Sequence, residues 1–379
     1  MKQTARIIST YTGDTSGVCS ALFELGGMTV MHDASGCNST YSTHDEPRWY
    51  NSDSLVFISG LTETEAILGD DEKLIHDTIQ TAQELHPKFI ALAGSPIPMM
   101  TGVDLPAIAC EIENTSHLPT FGFNTDGMHS YVSGAGQALA AIAKRYCRPS
   151  KIKASTLTVN LLGVTPLDFS INGSVPALTH QLNVQGVQVQ SVWAMGSTLA
   201  QLAQATRAQV NLVVSASGFK TAQVLQQQFG MPYVVGTPYG ATLTKAIVAA
   251  IKRAAKSQQN QLAVPPLPNA QTLIVGEGVT ALSLAHALFA DVGATVLCPT
   301  ELPDDLLGKG CVHARDEAEL LPYFKQARTI IADPLYQPIC PKTARFIPLA
   351  HEAFSGRLYR KEIPNLVSEL DQFRRSNQL

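Results

Sequence analysis

The sequence predicts an α/β fold made of three consecutive Rossmann-like domains, each with a doubly wound parallel sheet. Short apolar runs bounded by turn residues alternate with helix-like runs along most of the chain, and this alternation is typical of parallel sheets covered by helices. At 379 residues the chain is too long for one ordinary hydrophobic core. We therefore expect domains over residues 1–150, 151–262 and 263–379.

The first domain contains strand-like runs that end in polar loops. The strand-like runs are MTVMH, LVFIS, FIALAGS and PTFGFN, and helices are predicted over residues 64–85 and 101–113. The carboxyl ends of parallel strands meet at one edge of a sheet, where ligands bind. The loops expected at that edge contain Cys37 and residues 60–63, 94–96 and 124–126.

A basic, proline-bearing stretch at residues 148–153 predicts a linker to the second domain. Strand and helix then alternate again. The strands are LTVNLLGV, VQVQSVWAM, VNLVVSAS and MPYVVGTPYG, followed by helices over residues 175–182, 199–205, 221–229 and 241–255. The loops between them are small, polar and almost uncharged, so a substrate bound there would contact backbone amides and be selected by shape.

Residues 256–269 are polar and then proline-rich, which predicts a second linker. The βαβ unit that follows contains the pattern Gly276-x-Gly278-x-x-Ala281, with Glu301 after its second strand. This pattern could bind a dinucleotide. We favour a structural interpretation, because the third position is alanine and a tight turn between strand and helix requires glycines even where nothing binds.

The composition limits the classes of partner. Charged residues make up 15% of the chain and hydrophobic residues 45%, which favours an oligomer over a free monomer. The formal net charge is −4 and the sequence has no basic stripe, so we expect no nucleic-acid partner.

We expect a cytoplasmic protein with no membrane partner. The segment MKQTARIIST has no apolar core of a signal peptide, and no apolar run approaches the roughly 18 residues of a membrane span. The seven cysteines are irregularly spaced, which in a large cytosolic chain indicates free thiols and ligands, not disulfides.

Two of the cysteines occupy settings that suit metal binding. Cys19 follows a Gly/Ser/Thr loop, and Cys37 follows the apolar run that begins at Met28. Free backbone N–H groups at a helix start or strand end lower the pKa of a thiol, and the thiolate binds zinc or an iron–sulfur cluster. The spacing matches no short ligand motif, so burial of both side chains as small hydrophobes is an equal alternative.

The order of segments around these cysteines resembles the first domain of the nitrogenase component 1 family. That family also includes the protochlorophyllide and chlorophyllide reductases and the nitrogenase cofactor-assembly scaffold. The matching segments are the Gly-rich stretch with Cys19, then HDASGCNSTY with Cys37, SGLTETEAILGDDEKLIHDTI, FIALAGSPIPMMTGVDL and PTFGFNTDGMHSYVSGAGQALAAI. The resemblance implies that Cys19 and Cys37 bind an iron–sulfur cluster at a subunit interface.

The resemblance also implies a second chain. A cubane [4Fe-4S] cluster is normally held by four thiolates, and this chain reads Gly94-Ser95-Pro96 where many members have a third cysteine. A homodimer would supply both cysteines twice, as twofold symmetry allows. A heterodimer with a second component-1-like chain is the other arrangement.

The function implied by the resemblance is reduction of a small molecule in a cleft between domains. A separate ATP-dependent iron–sulfur reductase would deliver the electrons, and this chain has no phosphate-binding loop of its own. Dinitrogen is not the expected substrate, because residues 157–255 contain no cysteine to hold a nitrogenase-type cofactor. The alternatives are a scaffold for metal-cluster assembly and a redox-silent protein that binds a small molecule.

Three histidines are candidates for catalytic roles. His32 and His44 flank Cys37 and could move protons or bind an anionic group, or they are turn and cap residues. His351 follows a strand and could face the cleft between domains, or it is a hydrogen-bonded loop residue. The remaining cysteines are interpreted as structural: Cys110, Cys147, Cys298, Cys311 and Cys340.

Overall fold

The computed structural model describes residues 5–150 and 154–379, so part of the linker predicted at residues 148–153 lies outside the described residues. The described residues contain three parallel sheets, one of four strands and two of five. The predicted α/β fold class is thus confirmed. The proposed domain boundaries stay predictions.

The first sheet has the strand order β2-β1-β3-β4 and is parallel throughout. Its strands are β1 Met28–His32, β2 Leu55–Ile58, β3 Ile90–Gly94 and β4 Thr120–Phe123. Its helices are α1 Asp14–Leu22, α2 Glu63–Leu68, α3 Glu72–Leu85, α4 Pro96–Thr101, α5 Leu105–Ser116 and α6 Tyr131–Tyr146. The four strand-like runs of the sequence therefore form strands as predicted, and the carboxyl ends of these strands share one edge.

Both helices predicted in this domain are broken by a glycine. Gly69 has φ 65° and ends α2, so residues 64–85 form two helices and not one. Gly102 has φ 80° and ends α4, after which the Asp104 side chain accepts a hydrogen bond from the Ala107 N–H and caps α5. A left-handed backbone is inexpensive for glycine, which is why each break falls there.

The second sheet has the order β6-β5-β7-β8-β9. Its strands are β5 Thr158–Leu162, β6 Gln188–Val192, β7 Val210–Val213, β8 Tyr233–Val235 and β9 Gln261–Leu262. Its helices are α7 Pro166–Phe169, α8 Ser174–Val184, α9 Leu199–Leu202, α10 Phe219–Phe229 and α11 Gly240–Ser257. Strand β9 pairs in parallel with β8, so the prediction that residues 256–269 are only a linker is wrong.

The third sheet has the order β12-β11-β10-β13-β14. Its strands are β10 Thr272–Val275, β11 Thr295–Cys298, β12 Cys311–His313, β13 Thr329–Ala332 and β14 Arg345–Pro348. The helices of this part of the chain are α12 Gly278–Phe289, α13 Glu317–Phe324 and α14 Leu366–Ser376. Helix α14 packs on α8 and α11 of the second sheet, where Leu370 and Phe373 join one buried core with Leu182 and Leu243. Helix α14, which follows the last strand of the third sheet, therefore packs on the helices of the second sheet.

Helices α1 and α6 cross at very short range. A Cβ on Gly17 would lie 2.2 Å from the Tyr131 carbonyl oxygen, and a Cβ on Gly134 would lie 1.9 Å from the Asp14 carbonyl oxygen. Only glycine permits this approach at either position. The crossing sets the start of α6, and with it Tyr131, against the second sheet.

Candidate functional site

Cys19 lies inside α1 and is fully buried. It packs with Phe23, Met31 and Tyr41 in a small apolar cluster. The expectation that Cys19 lies at a helix start is wrong, because α1 already begins at Asp14. The expected fall in its pKa is also wrong: burial raises the pKa of the Cys19 thiol.

Cys37 is exposed on the turn that follows β1. The Asp33 carboxylate raises the pKa of the Cys37 thiol through its negative charge. Asp33 is itself fixed by hydrogen bonds from the Ala34 N–H at 2.7 Å and the Asn38 side-chain amide at 2.8 Å. An exposed thiol on an ordered turn is free to meet a group outside this chain.

Buried ion pairs of Glu46 and Arg48 fix the position of the segment after Cys37. Glu46 accepts a hydrogen bond from Ser20 Oγ at 2.7 Å and one from Arg48 Nε at 2.7 Å. Arg48 also donates to Glu24 Oε1 at 2.8 Å and to the Ala194 carbonyl oxygen of the second domain at 3.3 Å. These bonds keep the turn at Tyr41–Asp45 over Cys19.

The two cysteines fit the implied iron–sulfur cluster in part. Within residues 5–150 and 154–379, one group of three potential metal ligands has its ligand atoms close together. It consists of Asp14, Asp126 and His129 and contains no cysteine. Cys37 suits a cluster shared with a second chain because its thiol is exposed. Cys19 is 0% exposed inside its apolar cluster, so it becomes a ligand only if the packing around it opens.

The structure does not bring His32 onto the Cys19 side of the first sheet. Side chains alternate along a strand, and Met31 joins the Cys19 cluster whereas Val30 joins the core on the opposite face. His32 shares the face of Val30, its Nδ1 lies 2.9 Å from Ser59 Oγ, and burial lowers its pKa.

His44 lies apart, against the third domain. Its ring packs against Tyr11 in a tilted arrangement with centroids 4.3 Å apart, and its carbonyl oxygen accepts a hydrogen bond from Arg360 at 2.8 Å. His44 therefore contributes to packing between domains, and the three histidines do not form one cluster.

His351 lines a pocket between the second and third sheets. Its Nδ1 accepts a hydrogen bond from the Ala353 N–H at 3.3 Å, so the neutral ring carries its proton on Nε2. The backbone N–H of His351 donates a hydrogen bond to the Asp333 carboxylate at 2.8 Å. Phe354 stacks on the His351 ring with centroids 4.4 Å apart. Burial lowers the pKa of His351 to about 4, which keeps the ring neutral near pH 7.

Asp168 faces His351 across the pocket, with Oδ1 3.8 Å from the His351 Nε2. It accepts hydrogen bonds from Thr165 Oγ1 and Ser215 Oγ, each at 2.7 Å, and from the Tyr131 hydroxyl. Burial raises the pKa of Asp168 to about 7, and the nearby negative charge of Glu277 contributes. Asp168 is thus a carboxyl group that exchanges its proton near neutral pH.

From the sequence, the strand-end loops of the second domain are described together, and Asp168 is not identified as a site residue. The available signal was a single acidic side chain in a strand-end loop that is otherwise uncharged. Its partner Tyr131 is far away in sequence, so no spacing rule connects the two.

Glu277 explains the glycine-rich pattern after β10. Its carboxylate accepts hydrogen bonds from Val279 N, Thr280 N and Ala216 N, each at 2.9 Å. That helix start is where a dinucleotide pyrophosphate would bind, so the chain's own carboxylate already fills the position. A Cβ on Gly278 would lie 2.5 Å from Leu302, which shows that this glycine serves packing.

Comparison with known proteins connects these features to a family. Residues 16–297 match the family model described as nitrogenase component 1 type oxidoreductase. A relative from Chlorobium phaeovibrioides, a subunit of light-independent protochlorophyllide reductase, is 35% identical over 224 residues, covering 58% of this chain and 41% of the relative. The nitrogenase iron-molybdenum cofactor biosynthesis protein NifE of Klebsiella pneumoniae is 24% identical over 275 residues, covering 64% of this chain and 59% of NifE.

The aligned regions span about two fifths to three fifths of these curated relatives. A solved structure titled nitrogenase Cp1 at pH 6.5 superposes with a TM-score of 0.67 at 15% identity, covering 99% of this chain and 95% of that one. This likeness concerns the fold alone. None of the helices in the described part of the chain is both long enough and apolar enough to cross a membrane.

Proposed function

Because the chain belongs to the nitrogenase component 1 type oxidoreductase family, we propose that it is the substrate-reducing component of a two-component reductase. Its partner is an ATP-dependent iron–sulfur reductase, and its substrate is a small molecule other than dinitrogen. The observation that carries the proposal is the pocket between the second and third sheets, where Asp168 and His351 face each other.

Reduction of an organic molecule consumes protons as well as electrons, and this pocket holds a proton donor. Asp168 has a pKa of about 7, so near neutral pH a large fraction of it carries a proton. The hydroxyl groups of Tyr131, Thr165 and Ser215 fix its orientation. The Nε2–H of His351 points into the same space and supplies a hydrogen-bond donor to the substrate.

The electron path of this proposal uses the first domain. An iron–sulfur cluster, as members of this family bind, would supply one-electron transfer when held by Cys37 and Cys19 together with ligands from a second chain. Exposed apolar side chains on the strand-end edge of the first sheet support a subunit or partner surface there. They are Ile67, Leu68, Met99, Met100 and Met128.

The test is anaerobic purification with the partner reductase, followed by iron analysis and ATP-dependent oxidation of the reduced partner. We expect bound iron and an oxidation rate that depends on this chain. A protein that stays colourless after cluster reconstitution, with both cysteines intact, contradicts the electron path.

A scaffold for metal-cluster assembly is the second candidate, and the similarity to NifE favours it. A scaffold would transfer its cluster to an acceptor protein and show no catalytic turnover with reductant. The absence of cysteine from residues 157–255 argues against a cofactor anchored between that region and His351. Transfer without turnover in the same assay would decide for the scaffold.

A further inference from the structure

The pocket that we propose for substrate reduction has an unusual charge. Two carboxyl groups line it, Asp168 and Glu277, and their side chains are essentially buried. Every hydrogen bond that they accept comes from a neutral donor: three backbone N–H groups for Glu277 and three hydroxyl groups for Asp168. Within the described part of the chain, neither carboxyl group forms an ion pair with a lysine or an arginine.

The described side chains around the pocket supply no cation to balance this pair. Among residues 5–150 and 154–379, no lysine or arginine lines the pocket. The single imidazole, His351, is held neutral by burial, since its pKa is lowered to about 4. The nearby cation Arg360 is engaged by Glu352, with Nε 2.5 Å from the carboxylate. The pocket is therefore neutral or negative near pH 7 and is not positive.

The rest of the wall is mainly apolar, with Phe169, Ile274, Leu284 and Phe354 among the residues that line it. An apolar wall favours an apolar body in the ligand. A carboxylate or phosphate would lie near two acidic groups, and no lysine or arginine among the described residues that line the pocket would compensate its charge.

We propose that this pocket selects a ligand with an apolar body and a cationic nitrogen, such as a protonated amine or an amidinium group, and rejects carboxylates and phosphates. The assignment rests on the proposed function, because it takes this pocket as the substrate site. Asp168 and Glu277 are the residues that set the selectivity, and the cationic N–H group would donate to Asp168.

The experiment compares three probes of equal skeleton and different charge on the whole purified chain: 2-phenylethylammonium, 2-phenylethanol and phenylacetate. Affinities are measured by isothermal titration calorimetry, with NMR saturation transfer to detect weak binding. We expect the cation to bind at least about tenfold more tightly than the anion, equivalent to about 1.4 kcal/mol, with the alcohol between them. Equal or tighter binding of phenylacetate overturns the proposal.

Variants assign the preference to the pocket. Asp168→Asn and Glu277→Gln should each weaken binding of the cation several-fold and leave the alcohol unchanged. Asp305→Asn removes one exposed acidic charge elsewhere and is the matched control, which should change nothing. A cation preference that survives in correctly folded Asp168→Asn and Glu277→Gln proteins overturns the assignment, and the wild-type ranking decides if either variant fails to fold.

The outcomes separate this inference from the proposed function. A preference for the anion together with intact ATP-dependent electron transfer overturns the charge selectivity alone. Failure of all three probes to bind overturns both the selectivity and the pocket as a substrate site. Loss of electron transfer with the cation preference intact overturns the proposed function only.

Discussion

The cysteine region of the first domain and the pocket between the second and third sheets differ in how complete they are within one chain. In the pocket, each carboxyl group has hydrogen-bond partners from this chain, and two domains contribute to one site. In the cysteine region, Cys37 is exposed, Cys19 is buried in an apolar cluster, and neither belongs to a set of three potential ligands in the described chain. One chain thus suffices to build the pocket, in which we propose a proton donor, whereas electron delivery on the proposed scheme requires a second chain.

Removal of Cys37 is expected to have the largest effect and tests whether the cysteine region and the pocket work separately. Cys37→Ser should abolish bound iron and ATP-dependent electron transfer, because the exposed thiol is the ligand available to a shared cluster. Pocket binding of a cationic probe should be unchanged. Iron analysis and calorimetry on the same preparation measure both. Cys110→Ser, which removes another exposed cysteine, is the control. Full iron occupancy in Cys37→Ser would refute the assignment.

The second substitution changes the pocket and leaves the cysteine region intact. Asp168→Asn removes the proposed proton donor and should lower turnover by about 10²–10⁴-fold, the usual contribution of general acid catalysis. Iron content and the first, single-turnover oxidation of the partner reductase should remain at wild-type levels, whereas steady-state oxidation should fall with product formation. Steady-state product formation and iron analysis test the pair of results. Turnover within a few-fold of wild type would show that protons reach the substrate by another route.

A third substitution addresses the α1–α6 crossing, which the two regions share. Gly134→Ala places a Cβ 1.9 Å from the Asp14 carbonyl oxygen and should reduce the free energy of unfolding by about 3 kcal/mol, as overpacking does. Gly36→Ala is the matched control, because a Cβ there has no neighbour within 4 Å. Urea unfolding compares the two variants. Equal stability would mean that the helices separate at little cost.

Stability should also depend on pH through the pocket. The pKa of Asp168 is raised from 3.8 to about 7 in the folded chain, so its contribution to stability is present below pH 4 and is lost as the pH rises through about 7. His351 acts in the opposite direction, because its pKa is lowered from 6.5 to about 4 and stability is lost as the pH falls through that interval.

Asp168→Asn should therefore remove the loss of stability between about pH 4 and pH 7 and leave the acid-side loss from His351. Urea unfolding at several pH values measures the free energy of unfolding of both proteins. Parallel pH profiles for wild type and variant would show that Asp168 keeps its ordinary pKa.

The smallest expected effect concerns Tyr131. Its hydroxyl donates to Asp168, so Tyr131→Phe removes one hydrogen bond to the carboxylate and should raise the pKa of Asp168 further, by roughly one unit or less. The pH at which turnover falls should move upward by the same amount. A pH–rate profile measures this shift, and a downward shift would contradict the hydrogen-bond direction.

Much of the fold follows from local patterns in the sequence. The strand-like runs form β1, β3, β5 and β7 because short apolar segments between turn residues suit a sheet covered on both faces. The family is confirmed from segments around Cys19 and Cys37. The two helix breaks and strand β9 were not predicted. A glycine or a polar residue can end a helix, continue it or belong to an edge strand, and packing against distant parts of the chain decides which of these forms.

The candidate site was less predictable for a related reason. Cys19 is buried in a cluster with Met31 and Tyr41, which follow it by a strand and by a strand and turn. The importance of Asp168 depends on Tyr131, Ser215 and Glu277, which come from different parts of the chain. A pKa is a property of such surroundings and not of the residue type.

The contact between Glu277 and the Ala216 N–H has a mechanical consequence. The Glu277 carboxylate caps the N-terminus of α12 and also accepts a hydrogen bond from the neighbouring domain. Separating the two domains would therefore leave this buried carboxylate without one of its hydrogen-bond donors. A wide hinge motion is therefore disfavoured. Opening the two domains costs at least this hydrogen bond, about 1–3 kcal/mol for a buried acceptor that loses a donor.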